Sequence, residues 1–232
     1  KINTWTRLEE YKKSRESSFN PQSKDIHTLS ITNPIVSAGS ITLDFSKQLI
    51  NNNVLELLLE LAQECDLKNN ITQLMSGHPI NLSERRPALH TALRATNSEC
   101  IIVNETNIIP EVQKTRKKMG EIATTIRDSE WLGYSGKPIE NIVNIGIGGS
   151  YLGAYFCTQA LADFVQEDLG IYFLTSIDSN EFERVIKKLD PETTLFIVAS
   201  KTFTTKETMY NMQQAMQWLN QPQHIAKHFI AV

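Results

Sequence analysis

A chain of 232 residues can hold one large or two small domains, and 41% hydrophobic with 21% charged residues is the composition of an ordinary globular protein. A net charge of −3 gives no electrostatic reason to expect nucleic acid or an anionic membrane as partner, so any bound anion has to be held by local groups. Cys65, Cys100 and Cys157 are odd in number and widely spaced, which argues against a disulfide framework or a zinc site and for reduced thiols.

Residues 1–20 are charged and amphipathic, without the apolar core of a signal peptide, and no apolar run reaches membrane-spanning length; a cytoplasmic location is the expectation. Thr4–Arg15 reads as a helix with Trp5, Leu8 and Tyr11 on one face. Between Asp25 and Phe45, β-branched residues around Asn33-Pro34 and Ala38-Gly39 suggest a short extended hairpin or arm. Asn53–Cys65 is strongly helical, with Leu55, Leu58, Leu59 and Leu61 expected on its buried stripe. Leu67–Met75 is a second short helix, stopped by Gly77 and Pro79.

Ser83 is placed to cap another helix running through Pro87, Leu89, His90, Leu93 and Arg94. Pro110–Arg127 is a long amphipathic helix with Val112, Met119, Ile122 and Ile126 inward. The turn-rich stretch from Trp131 to Lys137 marks a soft boundary near residue 133, between a mostly helical region (1–133) and an α/β region (134–232). Beyond it, strands at about Asn141–Ile147, Ile171–Ser176, Thr194–Ser200 and His228–Val232 alternate with helical segments at βαβ spacing, which predicts a parallel sheet flanked by helices.

Two loops at the carboxyl ends of these strands carry the chemistry. In the first, the apolar run Ile142, Val143, Ile145, Ile147 gives way to Gly146, Gly148, Gly149 and Ser150 and then to helix formers from Tyr151 to Ala162. Glycine lets backbone turn tightly and lets a ligand approach closely, while Ser150 is a natural N-cap for a helix start that attracts anions. A dinucleotide fingerprint fails on spacing, since Tyr151 stands where its third glycine belongs, and no Gly-Lys-Ser/Thr follows for a nucleotide phosphate loop.

In the second loop, Ser200, Lys201, Thr202, Phe203, Thr204 and Thr205 set four hydroxyls and one ammonium between the apolar strand Leu195–Ala199 and the helix Lys206–Leu219. Such groups bind phosphate oxygens directionally and electrostatically, and with no metal-ligand cluster nearby they suit a phosphate monoester better than a nucleotide–magnesium complex. The plainer reading of the first loop is a helix-packing turn, and of the second a cluster of helix caps. His27, His78, His90, His224 and His228 show no ligand spacing and are expected at the surface or packed against helices.

The phrases NIGIGGSYLG and, some 50 residues on, ASKTFTTKET resemble the two signature segments of the glucose-6-phosphate isomerase (phosphoglucose isomerase) family. GSITLDFSK (39–47), INLSERRPALHTALR (80–94), WLGYSGK (131–137) and AKHFIAV (226–232) extend the resemblance, in family order, from about residue 39 to the end. It implies sugar isomerase (SIS) architecture, an α/β parallel sheet flanked by helices and preceded by the mostly helical region, and reversible interconversion of glucose 6-phosphate and fructose 6-phosphate. Residue by residue, it assigns the phosphate to Ser200, Lys201, Thr202 and Thr205 and the sugar to Gly149 and Ser150. Ala154, Pro87 and Lys206 depart from the family's usual Pro, Ala and Gln at positions that hold no named contact.

The resemblance also implies no cofactor, no metal and a homodimer. It places the catalytic Glu, His, Lys and Arg beyond Val232, so that no catalytic residue is expected in this chain. With the last predicted strand unfinished at Val232, the sequence is expected to be truncated, with the 134–232 domain incomplete. The rival from another class is a non-catalytic SIS-type module that senses a phosphosugar and regulates something else; GSITLDFSK and HTALR argue for the isomerase, because a generic module does not need them.

Overall fold

The computed structural model describes residues 3–16, 31–48, 50–166 and 168–232. The chain divides into two compact units, Lys1–Gln113 and Lys114–Val232. The division falls inside the long helix at 113/114, ahead of the joint near residue 133.

In the first unit, α1 (Asn3–Glu16) packs against α2 (Asn52–Glu64). Thr4, fully buried, donates its amide and hydroxyl to the two carboxylate oxygens of Glu64, at 3.1 and 2.7 Å, and Arg7 pairs with Glu60. Asn51 caps α2 by accepting from the Val54 amide and donates to the Tyr11 hydroxyl, so one side chain starts one helix and holds another. The inward face of α1 is therefore Thr4, Leu8 and Tyr11, and Trp5 is exposed. On α2 the buried position is Leu57, flanked by half-buried Val54 and Leu61; Leu58 and Leu59, expected inside, face outward. Five leucines in seven positions hide the phase of a stripe, and the Asn51 cap sets it here.

The expected hairpin is present as β1 (Ile35–Ala38) and β2 (Ile41–Asp44), antiparallel, with Gly39 at φ +60° in its two-residue turn. Residues 25–30 of the expected arm, and His27 with them, lie outside the described residues. Helix α3 (Leu67–Ser76) ends at Gly77, whose φ of +84° is a left-handed cap and where a Cβ would lie 2.8 Å from Ile101.

The helix expected from Ser83 does not form. Asn81 and Arg86 exchange backbone hydrogen bonds at 3.2 and 3.3 Å, Arg85 takes φ +51°, and Ser83 donates to the Asn81 side chain in place of capping anything. The Asn81 carboxamide also accepts from the Glu84 amide, and Pro87 removes the next donor, so local side-chain bonds win over helix. Helical geometry is confined to a 3-10 turn at Ala92–Arg94. Ala92, Ala95, Ile101 and Ile109 form the buried core there, beside the ribbon β3 (Ile102–Val103) and β4 (Thr106–Asn107).

The second unit is built on four parallel strands: β5 (Asn141–Ile145), β6 (Gly170–Leu174), β7 (Thr194–Val198) and β8 (Phe229–Ala231), in the order β6-β5-β7-β8. Three lie within their expected spans, and β6 begins one residue before its expected start at Ile171. Val143, Ile145, Leu174, Phe196 and Val198 point to one face, where Phe182 and Val185 of α6 (Ser179–Ile186) and Met209, Met212 and Trp218 of α7 (Lys206–Leu219) cover them. Ile142, Leu195 and Ile230 point to the other, against Ile122 and Ile126 of α4 (Ile109–Arg127). Met119, expected inward on α4, is exposed. On that second face Tyr151 and Tyr155, at the start of α5 (Leu152–Ala160), stack edge-on against Phe173. The chain closes with α8 (Ile225–His228), which runs straight into β8.

Candidate functional site

The strand order locates a ligand cleft before any loop residue is considered. From β5 the chain crosses to β6 on one side, and from β7 to β8 on the other, so the connections part between β5 and β7. With right-handed crossovers their helices lie on opposite faces, and the carboxyl end of two neighbouring strands that part in this way is where open α/β sheets bind ligands. Ile145 pairs with Val198, and the Ala199 amide donates to the Ile145 carbonyl at 2.9 Å, so both loops leave the sheet at the same level, about 4.8 Å apart.

Residues 146–150 leave β5 as a tight turn. Gly146 donates to the Leu174 carbonyl of β6, Gly148 takes φ +55°, and Gly148–Ser150 form a 3-10 turn. A Cβ on Gly146 would lie 2.5 Å from the Ser150 carbonyl oxygen, so no other residue fits there. At Gly149 a Cβ would meet no atom within 4 Å: its glycine is not demanded by packing, and its backbone faces open space. Ser150 is not the expected N-cap. Its amide closes the 3-10 turn on Ile147, Tyr151 precedes α5, and no side chain caps that helix. The turn uses up the residues that a cap would need.

Beneath this loop lies a residue that pattern reading passed over. Asn144 is on β5, 8% exposed, and its amide nitrogen donates to the Ser150 carbonyl at 3.2 Å. The signal was a carboxamide in a β-branched buried strand, where an unpaired polar group is costly.

The loop after β7 is organised by Ser200, itself 6% exposed. Its amide donates to the Val232 carbonyl at 2.9 Å, and its hydroxyl accepts from the Phe203 amide at 3.1 Å and lies 3.2 Å from the Thr205 hydroxyl. This internal bonding holds Phe203 at φ +54°. Thr202 and Thr204 share a 2.6 Å hydroxyl contact, and they and Lys201 are exposed at the rim. Thr205 stands at the N-cap position of α7 with its side chain turned to Ser200, so the helix start carries no side-chain cap. Uncapped backbone N–H groups, hydroxyls and an ammonium thus gather at one helix start, which is a favourable place for a dianionic group.

A third loop flanks these two at the end of β6. The Glu181 carboxylate accepts from the amides of Thr175 and Ser176 and from the Thr175 hydroxyl, while buried Asn211 of α7 donates to the Ser176 carbonyl at 2.7 Å. At the opposite end of the sheet, His228 is fully buried rather than at the surface. It contacts the Thr194 carbonyl through Nδ1 at 2.6 Å and accepts from the Tyr134 amide through Nε2 at 2.9 Å. Burial pushes its pKa below the ordinary value; neighbouring Lys227 and His224 push the same way, and the Thr194 carbonyl opposes them. His78 and His90 are exposed, and His224 stacks on Tyr134.

Cys65, Cys100 and Cys157 are free and exposed. Among the described residues no group of three or more His, Cys, Asp or Glu side chains could hold a metal ion, and no helix is long and apolar enough to cross a membrane.

Fold and loops together define a class, an α/β protein that presents polar loops across the switch point of a parallel sheet. A sequence model of the phosphoglucose isomerase family matches residues 44–232. A curated glucose-6-phosphate isomerase from Legionella pneumophila (strain Lens) is 46% identical over 192 residues, 83% of this chain and 38% of that protein. One from Pseudomonas fluorescens is 39% identical over 232 residues, 98% of this chain and 42% of that protein. The crystal structure of a glucose-6-phosphate isomerase from Chlamydia trachomatis D/UW-3/Cx aligns with a TM-score of 0.65 and 28% identity, covering 90% of this chain and 39% of that one. The chain belongs to the phosphoglucose isomerase family, and it spans about two fifths of the length of these relatives.

Proposed function

We propose that this chain carries the phosphosugar-binding part of a glucose-6-phosphate isomerase, which interconverts glucose 6-phosphate and fructose 6-phosphate in glycolysis and gluconeogenesis. The observation that carries the reading is the convergence of the two loops on the β5–β7 switch point. Ser200, Lys201, Thr202 and Thr205 hold the phosphate at the start of α7, and Gly149 and Ser150 meet the sugar with open backbone. No cofactor is needed, because an aldose and its ketose differ only in the position of one proton pair. The reaction requires a general base that moves a proton between C1 and C2. In this proposal neither loop supplies that base, and the family's Glu, His, Lys and Arg do so from outside the matched segment. The working form is a cytoplasmic homodimer.

The test is a coupled assay of fructose 6-phosphate conversion, run beside a binding titration of the same sugar phosphate. Binding without turnover by the 232-residue chain is the expected result. Turnover would put the base inside the chain and overturn the assignment of the chemistry, and absence of binding would overturn the site.

A further inference from the structure

We propose that Asn144 is the positioning residue that sets the sugar-facing loop, and through it the preference for a phosphosugar over a bare phosphate; this deepens the phosphosugar reading above and rests on it. Two separate constraints meet on one atom. The Asn144 amide nitrogen donates to the Ser150 carbonyl oxygen at 3.2 Å, and the same oxygen leaves no room for any side chain at Gly146, where a Cβ would lie 2.5 Å away. On the far side, the Tyr151 ring is held against Phe173, with centroids 5.6 Å apart, and against Tyr155 at 5.3 Å. Ser150 is thus fixed before and behind by groups rooted in β5 and β6, while Gly149 beside it stays open.

The phosphate-side loop has no share in this arrangement. It is held by the Ser200 hydroxyl and by the Val232 carbonyl, which belong to the other side of the cleft. Loss of the Asn144 bond therefore frees the sugar side and leaves the phosphate side as it was. A buried carboxamide serving only the fold would affect both sides alike.

The experiment compares the unmodified chain with Asn144→Asp and Asn144→Ala, titrated calorimetrically with inorganic phosphate and with fructose 6-phosphate, and follows amide hydrogen exchange over residues 148–152. Asn144→Asp puts an acceptor against the carbonyl; Asn144→Ala carries the comparison if a buried charge prevents folding. The expected result is a fall of about five- to tenfold in fructose 6-phosphate affinity, the size of one neutral hydrogen bond, with phosphate affinity unchanged and exchange at Ser150 and Tyr151 faster. Equal losses for both ligands, or no loss for the sugar phosphate, would overturn the positioning role while leaving the site in place. An unmodified chain that binds neither ligand overturns the phosphosugar reading itself, before any variant is compared.

Discussion

The two loops at the switch point reach the same cleft by opposite means. The loop after β5 is shaped from below: a carboxamide on the strand, a steric limit at Gly146 and an aromatic clamp at Tyr151 fix it, and its own side chains contribute little. The loop after β7 is shaped from within, by the Ser200 hydroxyl bonding to Phe203 and Thr205. The difference suits two kinds of ligand surface. A sugar presents hydroxyls to a rigid open backbone, whereas a phosphate presents charge that hydroxyls, an ammonium and a helix start can surround.

Removing ligand groups from the self-shaped loop should have the largest effect. Lys201→Ala combined with Thr205→Ala removes an ammonium and a hydroxyl, and charge-assisted bonds contribute roughly 1.5–3 kcal/mol each. Phosphosugar affinity should fall by about a hundredfold or more in a titration, and unchanged affinity would take this loop out of the site. The two glycines of the other loop then separate packing from access. Gly146→Ala forces the Ser150 carbonyl aside and should lower stability by about 2 kcal/mol in urea denaturation, even without ligand. Gly149→Val meets open space, so it should leave stability within about 0.5 kcal/mol and yet block the sugar. If Gly149→Val binds fructose 6-phosphate normally, the close-approach argument for that residue is wrong.

The sheet and its flanking helices were legible because β-branched runs at βαβ spacing leave few alternatives, and both loops could be placed at strand carboxyl ends; the switch point between them needed the strand order, which the structure supplies. Misreadings came where a single polar side chain outweighs pattern. The Asn81 carboxamide turned the Ser83–Leu89 stretch into a bridged turn, and the Asn51 cap set which leucines of α2 face inward. At the candidate site, glycines and hydroxyls stood out as residue types, but Asn144, Glu181 and Asn211 act on backbone atoms, which a sequence does not display. His228 belongs with these, since its two partners are a carbonyl 34 residues earlier and an amide 94 residues earlier.

His228 also gives the smallest and most selective test of the contrast between the loops. Its ring joins the Gly133–Tyr134 turn to β7, it immediately precedes β8, and β8 leads to Val232, whose carbonyl holds the Ser200 amide. The charged groups acting on it are Lys227 and His224 on its own segment, and the Tyr134 ring packs beside it with centroids 5.4 Å apart. In the folded chain the neutral ring accepts from the Tyr134 amide, and a proton on Nε2 would set two donors against each other. Burial lowers the folded pKa below the ordinary 6.5, so above that value the group adds no pH dependence. As pH falls below it, the unfolded chain takes up a proton that the folded chain resists, and stability declines until the folded pKa is passed. Urea midpoints measured from pH 7.5 down to 5.5 should therefore drop, and drop less in His228→Gln. Amide exchange should quicken at Tyr134 and Ser200 while Ser150 is unaffected, because among the described residues the bonds of the 146–150 loop run to β5, β6 and the loop itself, and none to His228, β8 or Ser200. Equal acceleration at Ser150 would show that the two loops share their support, and the contrast between them would fall.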